Sequence, residues 1–414
     1  MLDSDTTADT VPAADAIRLP EEAGSAVATP AEPRQLPIRF TGTGREYFRI
    51  WLLHLLLIVL TLGLYLPFAK ARRIRYLYAN TWVDGDALAF HGDPKTMFRG
   101  FLVLVALFGI YAIGGRFSPL AGYIAFLALC VLWPALWRAG QQFRLANTSW
   151  RGLRMAFRGD LGDVYSAFGV AIWPLVLMIG VQQFARAVLE GSVAIHPQWV
   201  TWVGSGMAVV GGLGTLLYVA LLPLALAKVK GYQHNHYQLA DQRARMQVKT
   251  RRFYGLAFKS ACWILVPALL LVALMFVPAI RNAANTEDSK TMGFAILGVM
   301  SLVYLLGFML IGPYFNARMQ NLVWNHTASE QVRFGSQLRF RSLAWLTTKN
   351  WLLTLLTLGL YRPFAAINTW KLRLEAMSIE VSGAMDGWDG SDSAAYADAS
   401  GEAAGDFFGI DLGL

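Results

Sequence analysis

One phrase occurs twice in this chain, Thr61-Leu-Gly-Leu-Tyr-Leu-Pro-Phe-Ala69 and Thr357-Leu-Gly-Leu-Tyr-Arg-Pro-Phe-Ala365. Each copy ends a long apolar run and begins a basic stretch. A hydrocarbon core about 30 Å thick is crossed by roughly 20 apolar residues in a helix, which alone satisfies its own backbone in lipid. Eight segments meet that need: 47–68, 98–115, 118–137, 163–183, 198–226, 257–281, 292–313 and 343–364. The chain therefore reads as an all-α polytopic membrane bundle with internal repeats and six to eight transmembrane helices. Segment 198–226 is long enough to tilt. The stretch Gly114-Gly115-Arg116 reads as the tight turn between the second and third segments.

Composition agrees, and it excludes classes. Charged residues make up 15% of the chain, against about 25% in an average soluble domain. The net charge of +9 is carried between the apolar runs, while both ends of the chain are acidic. Lys and Arg beside spans set topology and meet anionic lipid, so nucleic acid is not the expected partner. Residues 1–37 are rich in Ala, Pro, Asp and Glu and lack a basic region leading into an apolar stretch, so they read as a disordered tail. Residues 383–414 read as a second, acidic tail, which leaves 38–382 as the membrane domain. Cys130 and Cys262 fall inside apolar runs and read as small packed hydrophobes.

Loop charge sets orientation. The stretches after the first, third, fifth and seventh runs carry most of the Lys and Arg and are expected in the cytoplasm. The duplicated phrase conflicts with eight plain crossings, since the first run would enter the cytoplasm at its C-terminal end and the eighth would leave it there. Either the two end runs are related by inversion, or each is a re-entrant hairpin that breaks at Thr-Leu-Gly. Gly63 and Gly359 suit a break, and Pro67 and Pro363 suit the first turn of a returning helix. The re-entrant reading is preferred, and it places both termini in the cytoplasm.

Counting from proline exposes a longer period. Thirteen residues after Pro67 stands Asn80-Thr81, after Pro134 Asn147-Thr148, after Pro223 His236, and after Pro313 His326-Thr327. Phe90-His-Gly-Asp93 matches Phe157-Arg-Gly-Asp160, and Phe40-Thr-Gly42 echoes both. Each unit reads as span, basic helical extension, polar cap, then short cytoplasmic β-hairpins. Asp84-Gly85 is a two-residue hairpin turn, with strands expected at 81–83 and 87–90 and others at 38–41, 332–334 and 378–381.

The stretch Phe40-Thr-Gly-Thr-Gly-Arg-Glu-Tyr-Phe-Arg-Ile-Trp51, with Thr61-Leu-Gly-Leu-Tyr65, Ala69-Lys-Ala-Arg-Arg73 and Tyr78-Ala-Asn-Thr81, resembles the YjgN-like bacterial inner-membrane proteins. The resemblance covers about 38–382. It implies a multi-pass protein of the bacterial cytoplasmic membrane and brings no catalytic or binding residues with it. His54 departs from the pattern, standing where an Asn is expected, as at the equivalent Asn350.

No motif announces chemistry. There is no Walker lysine, no His-Glu-x-x-His and no Gly-x-Ser-x-Gly, so neither an enzyme nor a cofactor is expected. His234, His236 and His326 lack Cys or carboxylate companions at ligand spacing and read as caps, with no metal. Ionisable groups inside a membrane are costly and default to functional candidates, which singles out His54, Lys349 and Asn350 as one polar cluster. Lys70, Arg72, Arg73 and Arg75 are expected to meet anionic headgroups. Gly204, Ala208 and Gly212 form a small-residue stripe suited to close helix packing, with this chain, a second copy or an envelope partner. The apolar runs hold no Asp or Glu beyond Asp163 at one edge, which weighs against ion-coupled transport. Two classes remain: a permeation or lipid-handling protein, or a structural scaffold of the envelope. A continuous polar cavity reaching His54 and Lys349 would favour the first, and a dry, filled bundle the second.

Overall fold

The duplicated phrase is a helix break, built twice in the same way. A computed structural model describes residues 33–189, 197–275, 289–383 and 388. Most of the two expected tails, and the end of the run 257–281, lie outside those residues. Ten helices are present among the described residues: α1 (Gly44–Leu60), α2 (Leu66–Ala79), α3 (Pro94–Phe117), α4 (Pro119–Ala146), α5 (Leu161–Leu189), α6 (Pro197–Asn235), α7 (Thr250–Met275), α8 (Ser289–Trp324), α9 (Phe340–Leu356) and α10 (Arg362–Glu375).

Between α1 and α2, Leu62 (φ 50°) and Gly63 (φ 94°) turn left-handed; between α9 and α10, Leu358 (φ 49°) and Gly359 (φ 94°) do the same. The Gly63 amide donates to Ile58 O and the Gly359 amide to Thr354 O, which closes each helix with a Schellman motif. Thr61 and Thr357 donate their hydroxyls to Leu57 O and Leu353 O, both at 2.7 Å, and accept the amides of Tyr65 and Tyr361. In each copy the chain then reverses. Tyr76 near the end of α2 stacks on Tyr47 near the start of α1, at 5.4 Å between centroids. The Tyr76 hydroxyl bonds to Thr43 and Glu46 as well. Asn350 of α9 likewise reaches Ala365 O and Thr369 of α10. Both pairs are antiparallel helical hairpins whose open ends lie on one side.

Four helices, α3, α4, α5 and α6, contain segments long and apolar enough to cross a membrane among the described residues. Each helix packs on its neighbours in chain order, and α10 against α1 closes the circle. The turn between α3 and α4 corrects the expected one. Gly114 and Gly115 stay helical, and the reversal falls on Ser118, which is extended and caps α4 by accepting the Ala121 amide. The glycines serve contact instead, since a Cβ on Gly122 would lie 2.9 Å from Gly115 Cα. The stripe on α6 makes no such crossing at Gly212, where a Cβ would meet nothing within 4 Å; the surroundings of Gly204 and Ala208 lie outside the described residues.

The short strands do more than form hairpins. They are β1 (Arg34–Leu36), β2 (Ile38–Phe40), β3 (Thr81–Val83), β4 (Asp86–Ala87), β5 (Ala89–Phe90), β6 (Thr148–Trp150), β7 (Leu153–Phe157), β8 (Tyr237–Leu239), β9 (Gln242–Arg243), β10 (Arg245–Met246), β11 (Thr327–Ala328), β12 (Val332–Ser336) and β13 (Met377–Val381). Three antiparallel sheets result, ordered β1-β13-β12-β11-β10, β2-β3-β4 and β5-β6-β7-β8-β9. Only one residue separates β1 from β2, β4 from β5, and β9 from β10, so the sheets join end to end into a closed ring. β1 lies within the stretch 1–37 that composition marks as a tail, and it pairs with β13.

The proline count has a structural meaning. In α2, α4, α6, α8 and α10 a strand begins fourteen residues after the proline, at Thr81, Thr148, Tyr237, Thr327 and Met377. The residue just before each strand gives its carbonyl to the ring: Asn80, Asn147, His236, His326 and Ala376 accept the amides of Thr41, His91, Arg158, Gln247 and Gln337. Leu36, Val83, Trp150, Ala240, Val332 and Val381 fill the ring's interior, joined by Trp388.

Candidate functional site

The Phe-x-Gly motif explains itself first. Phe40, Phe90 and Phe157 are buried, and each ring folds back over the glycine two residues on. A Cβ on Gly42 would lie 2.6 Å from the Phe40 ring, so only glycine fits where a strand leaves for the next helix. The polar caps are equally local. Asn80 and Asn147 donate to the carbonyl four residues back, and His236 and His326 use Nδ1 on the same carbonyl at 2.7 and 2.8 Å. A carbonyl only accepts, so both imidazoles carry the proton on Nδ1. These histidines hold the helix ends.

The sequence-selected residues scatter. His54 lies on α1 with its ring stacked on Tyr65 at 5.6 Å, and its buried Nδ1 has no hydrogen-bond partner. Asn350 is buried and engaged within its own hairpin, and Lys349 is exposed. No hydrogen bond joins His54 to either of them among the described residues. His54 and Asn350 stand at equivalent positions of the two hairpins, His54 stacked on Tyr65 and Asn350 bonded to Ala365 O and Thr369. Of the basic stripe, Arg72 and Arg73 are exposed, and Arg75 donates to Gly92 O at 2.9 Å, clamping the turn before α3.

What His54 does face is a groove of about 550 Å³ between α1, α2, the start of α3 and α10. Lys70, Arg73 and Arg362 line it with His54, and Leu55, Ile58 and Phe101 give it apolar walls. None of its lining residues is Asp or Glu. Arg362 escaped the reading of the sequence although its signal was present. The duplicated phrase differs at one place only, Leu66 in the first copy and Arg362 in the second, and both residues line this groove.

A further group escaped it too, deeper and at the helix ends. Lys230, Gln233 and Gln320 are buried, and Arg373 is half-buried. Lys230 donates to Gln233 at 2.9 Å, and Arg373 Nε to Gln320 at 2.8 Å. Burial holds the Arg373 guanidinium down to about 10, still charged at neutral pH. Polar residues at seven and ten places past a proline were the missed signal, hidden by the apolar residues at the same places in α2.

Comparison with known proteins completes the description. The model of a family described as "Bacterial protein of unknown function (DUF898)" matches residues 35–407. The chain belongs to that family. Proteins named "Inner membrane protein YjgN" from Escherichia coli O157:H7 and Salmonella typhimurium are 23% and 22% identical over 369 and 356 residues. A third, from Escherichia coli K12, is 23% identical over 368 residues. Each match covers 84% of this chain and 88% of the relative. No solved structure matches this chain. The protein is an inner-membrane protein of a family without an assigned activity.

Proposed function

We propose that this is a lipid-handling protein, not an enzyme, that holds an anionic headgroup in the groove between its two helical hairpins. Six helices, α3 to α8, cross the membrane, and the α1–α2 and α9–α10 hairpins enter it from the cytoplasmic side and return. The single observation that carries the function is the groove itself, which gathers Lys70, Arg73, Arg362 and the unpartnered His54 Nδ1 without a carboxylate. Such a set fits a phosphate held at the interface, with acyl chains along the apolar walls.

Further geometry supports the membrane arrangement. α1 has 17 residues, about 25 Å of helix, which is short of the roughly 30 Å core. The hairpin tips carry Leu62 and Leu358, each 95% exposed, a burial pattern that lipid and not water would cover. The four spans bury only 6% to 28% of their apolar windows within the chain, so lipid or another copy must complete them. Five prolines at a fixed distance from five strands support an origin by repetition of one unit.

Topology is tested by reporters fused to each terminus in intact cells. Both are expected to report cytoplasm, and a periplasmic signal from either would sink the paired-hairpin arrangement. The lipid is tested by native mass spectrometry of the protein in mild detergent. Arg362→Gln and His54→Leu are expected to reduce copurifying phosphatidylglycerol several-fold, each basic contact contributing about 1 kcal/mol. Unchanged lipid in folded variants would remove this reading and favour an envelope scaffold.

A further inference from the structure

The strand ring has two ends, and the direction of the chain tells them apart. β3, β6 and β8 each start at a helix end and run away from it into a turn, at Asp84-Gly85, Arg151-Gly152 and Ala240-Asp241. The turns therefore rim the end of the ring farthest from the helices. Val83, Trp150 and Ala240 stand at these turns, Val332 follows the next one, and Val381 ends β13. All five are buried in one apolar cluster, and its remaining members are Leu36 of β1 and Trp388, which belongs to no strand. On the helix side of this layer lies a cavity of about 460 Å³. Leu77, Gln141 and Trp324 line it from the helices, and Trp388 lines it from the opposite end.

Trp388 is held differently from its neighbours. Past Val381 the chain turns at Gly383, whose φ of 103° is left-handed backbone that glycine adopts without strain. Gln331, in the turn between β11 and β12, then fastens the excursion at two points. Its carbonyl accepts the Ser382 amide at 2.8 Å, and its side-chain Oε1 accepts the Trp388 indole N–H at 2.7 Å. An indole has a large apolar body and one donor, so it buries well only where apolar walls and one acceptor coincide. The outer end of the ring supplies both. Every other member of the layer sits on a paired strand or in the turn between two, whereas Trp388 enters by its side chain. A contact of that kind opens locally without unfolding the strands. The sequence from 383 onward holds no Lys or Arg, and Asp386 and Asp389 flank Trp388 closely.

We infer that the outer end of the ring is a docking socket for an acidic, tryptophan-bearing segment, and that the chain's own Trp388 occupies it as a removable stopper. Six residues, 383–388, reach about 20 Å at full extension, ample for a socket that begins beside Val381. The occupant is therefore this chain and not a second copy. With Trp388 seated, the cavity is closed at the end away from the helices. Its withdrawal opens that end. Lys70 and Arg73 line the cavity and the membrane-side groove alike, so the two spaces then form one passage. Trp388 does not line the groove, and the stopper stands whether or not a headgroup binds there.

The test reads the cavity with a thiol, in the full chain in neutral detergent. Cys130→Ala and Cys262→Ala clear the background, and Met155→Cys places a thiol in the cavity lining. A bulky, charged maleimide is expected to label it slowly, and about tenfold faster after Trp388→Ala. Trp388→Phe keeps an aromatic body without the N–H and is expected to fall between. A chain ending at Gly383 is expected to label as fast as Trp388→Ala. Added peptide of residues 382–392 should then restore slow labelling saturably, and the same peptide carrying Trp388→Ala should not. That arm separates an emptied socket from a loosened fold. Equal rates with and without Trp388 would overturn the stopper, as would a peptide that restores nothing. Protection that fades on dilution would put a second copy's tail in the socket and overturn docking within one chain. Copurifying phosphatidylglycerol is expected to be unchanged by Trp388→Ala, so this inference and the headgroup reading fail separately.

Discussion

Leucine in place of Gln320 is expected to lower the stability of the folded protein by about 3 kcal/mol, read as an earlier melting transition in detergent. Gln320 is 4% exposed and accepts from Arg373 Nε at 2.8 Å. Its own amide donates to Arg373 O and to Ser336 Oγ, tying α8 to α10 and to β12. Leucine keeps the bulk but offers no acceptor, so a charged donor is left stranded out of water. Replacing both residues, Gln320→Leu with Arg373→Leu, is expected to recover much of the loss, because removing both partners leaves nothing unpaired. The asymmetry between single and double variants is the diagnostic. A Gln320→Leu protein that melts with the parent would show that water reaches the Arg373 guanidinium.

Valine at position 159 is expected to be poorly tolerated as well, losing about 2–4 kcal/mol. A Cβ there would lie 2.6 Å from Tyr232 Cζ and 2.9 Å from the Phe157 ring, and would press on the Tyr232 hydroxyl. Neither neighbour can yield. Phe157 and Trp137 are fully buried and meet edge-to-face at 6.3 Å, while the Tyr232 hydroxyl is committed to Asp160 O at 3.1 Å. Gly162→Ala, three residues on, provides the control, since a Cβ there meets nothing within 4 Å. It is expected to stay within about 1 kcal/mol of the parent. Equal melting of Gly159→Val and Gly162→Ala would show that the Phe-x-Gly motif is not a packing constraint.

Much of this architecture is legible because its signals are local. Thr-Leu-Gly-Leu-Tyr encodes its helix stop through side-chain and backbone bonds that reach no further than five residues, so the break is present wherever the words are. Asp84-Gly85 turns as a hairpin for the same reason, with φ of 51° and 86°. The turn at Ser118 was misplaced because glycine pairs carry two meanings, a turn or a close crossing, and only the position of Gly122 on the facing helix separates them.

The candidate site was less legible, for a reason that the fold makes plain. His54 was marked by its chemistry, but its company was not, because apolar periodicity says that a face is buried and not which face it meets. Arg362 entered the groove through the packing of α10 on α1, a contact between the two ends of the chain. Lys230 and Arg373 lie far apart in sequence and approach only because five helix ends converge under one ring. The sequence by itself determined the apolar runs, the two breaks, the caps and some of the short strands, signals set by interactions within a few residues. Tertiary structure alone decided that the strands close into a ring and that basic groups from separate units share a cavity, because closure depends on β1 meeting β13 and α1 meeting α10.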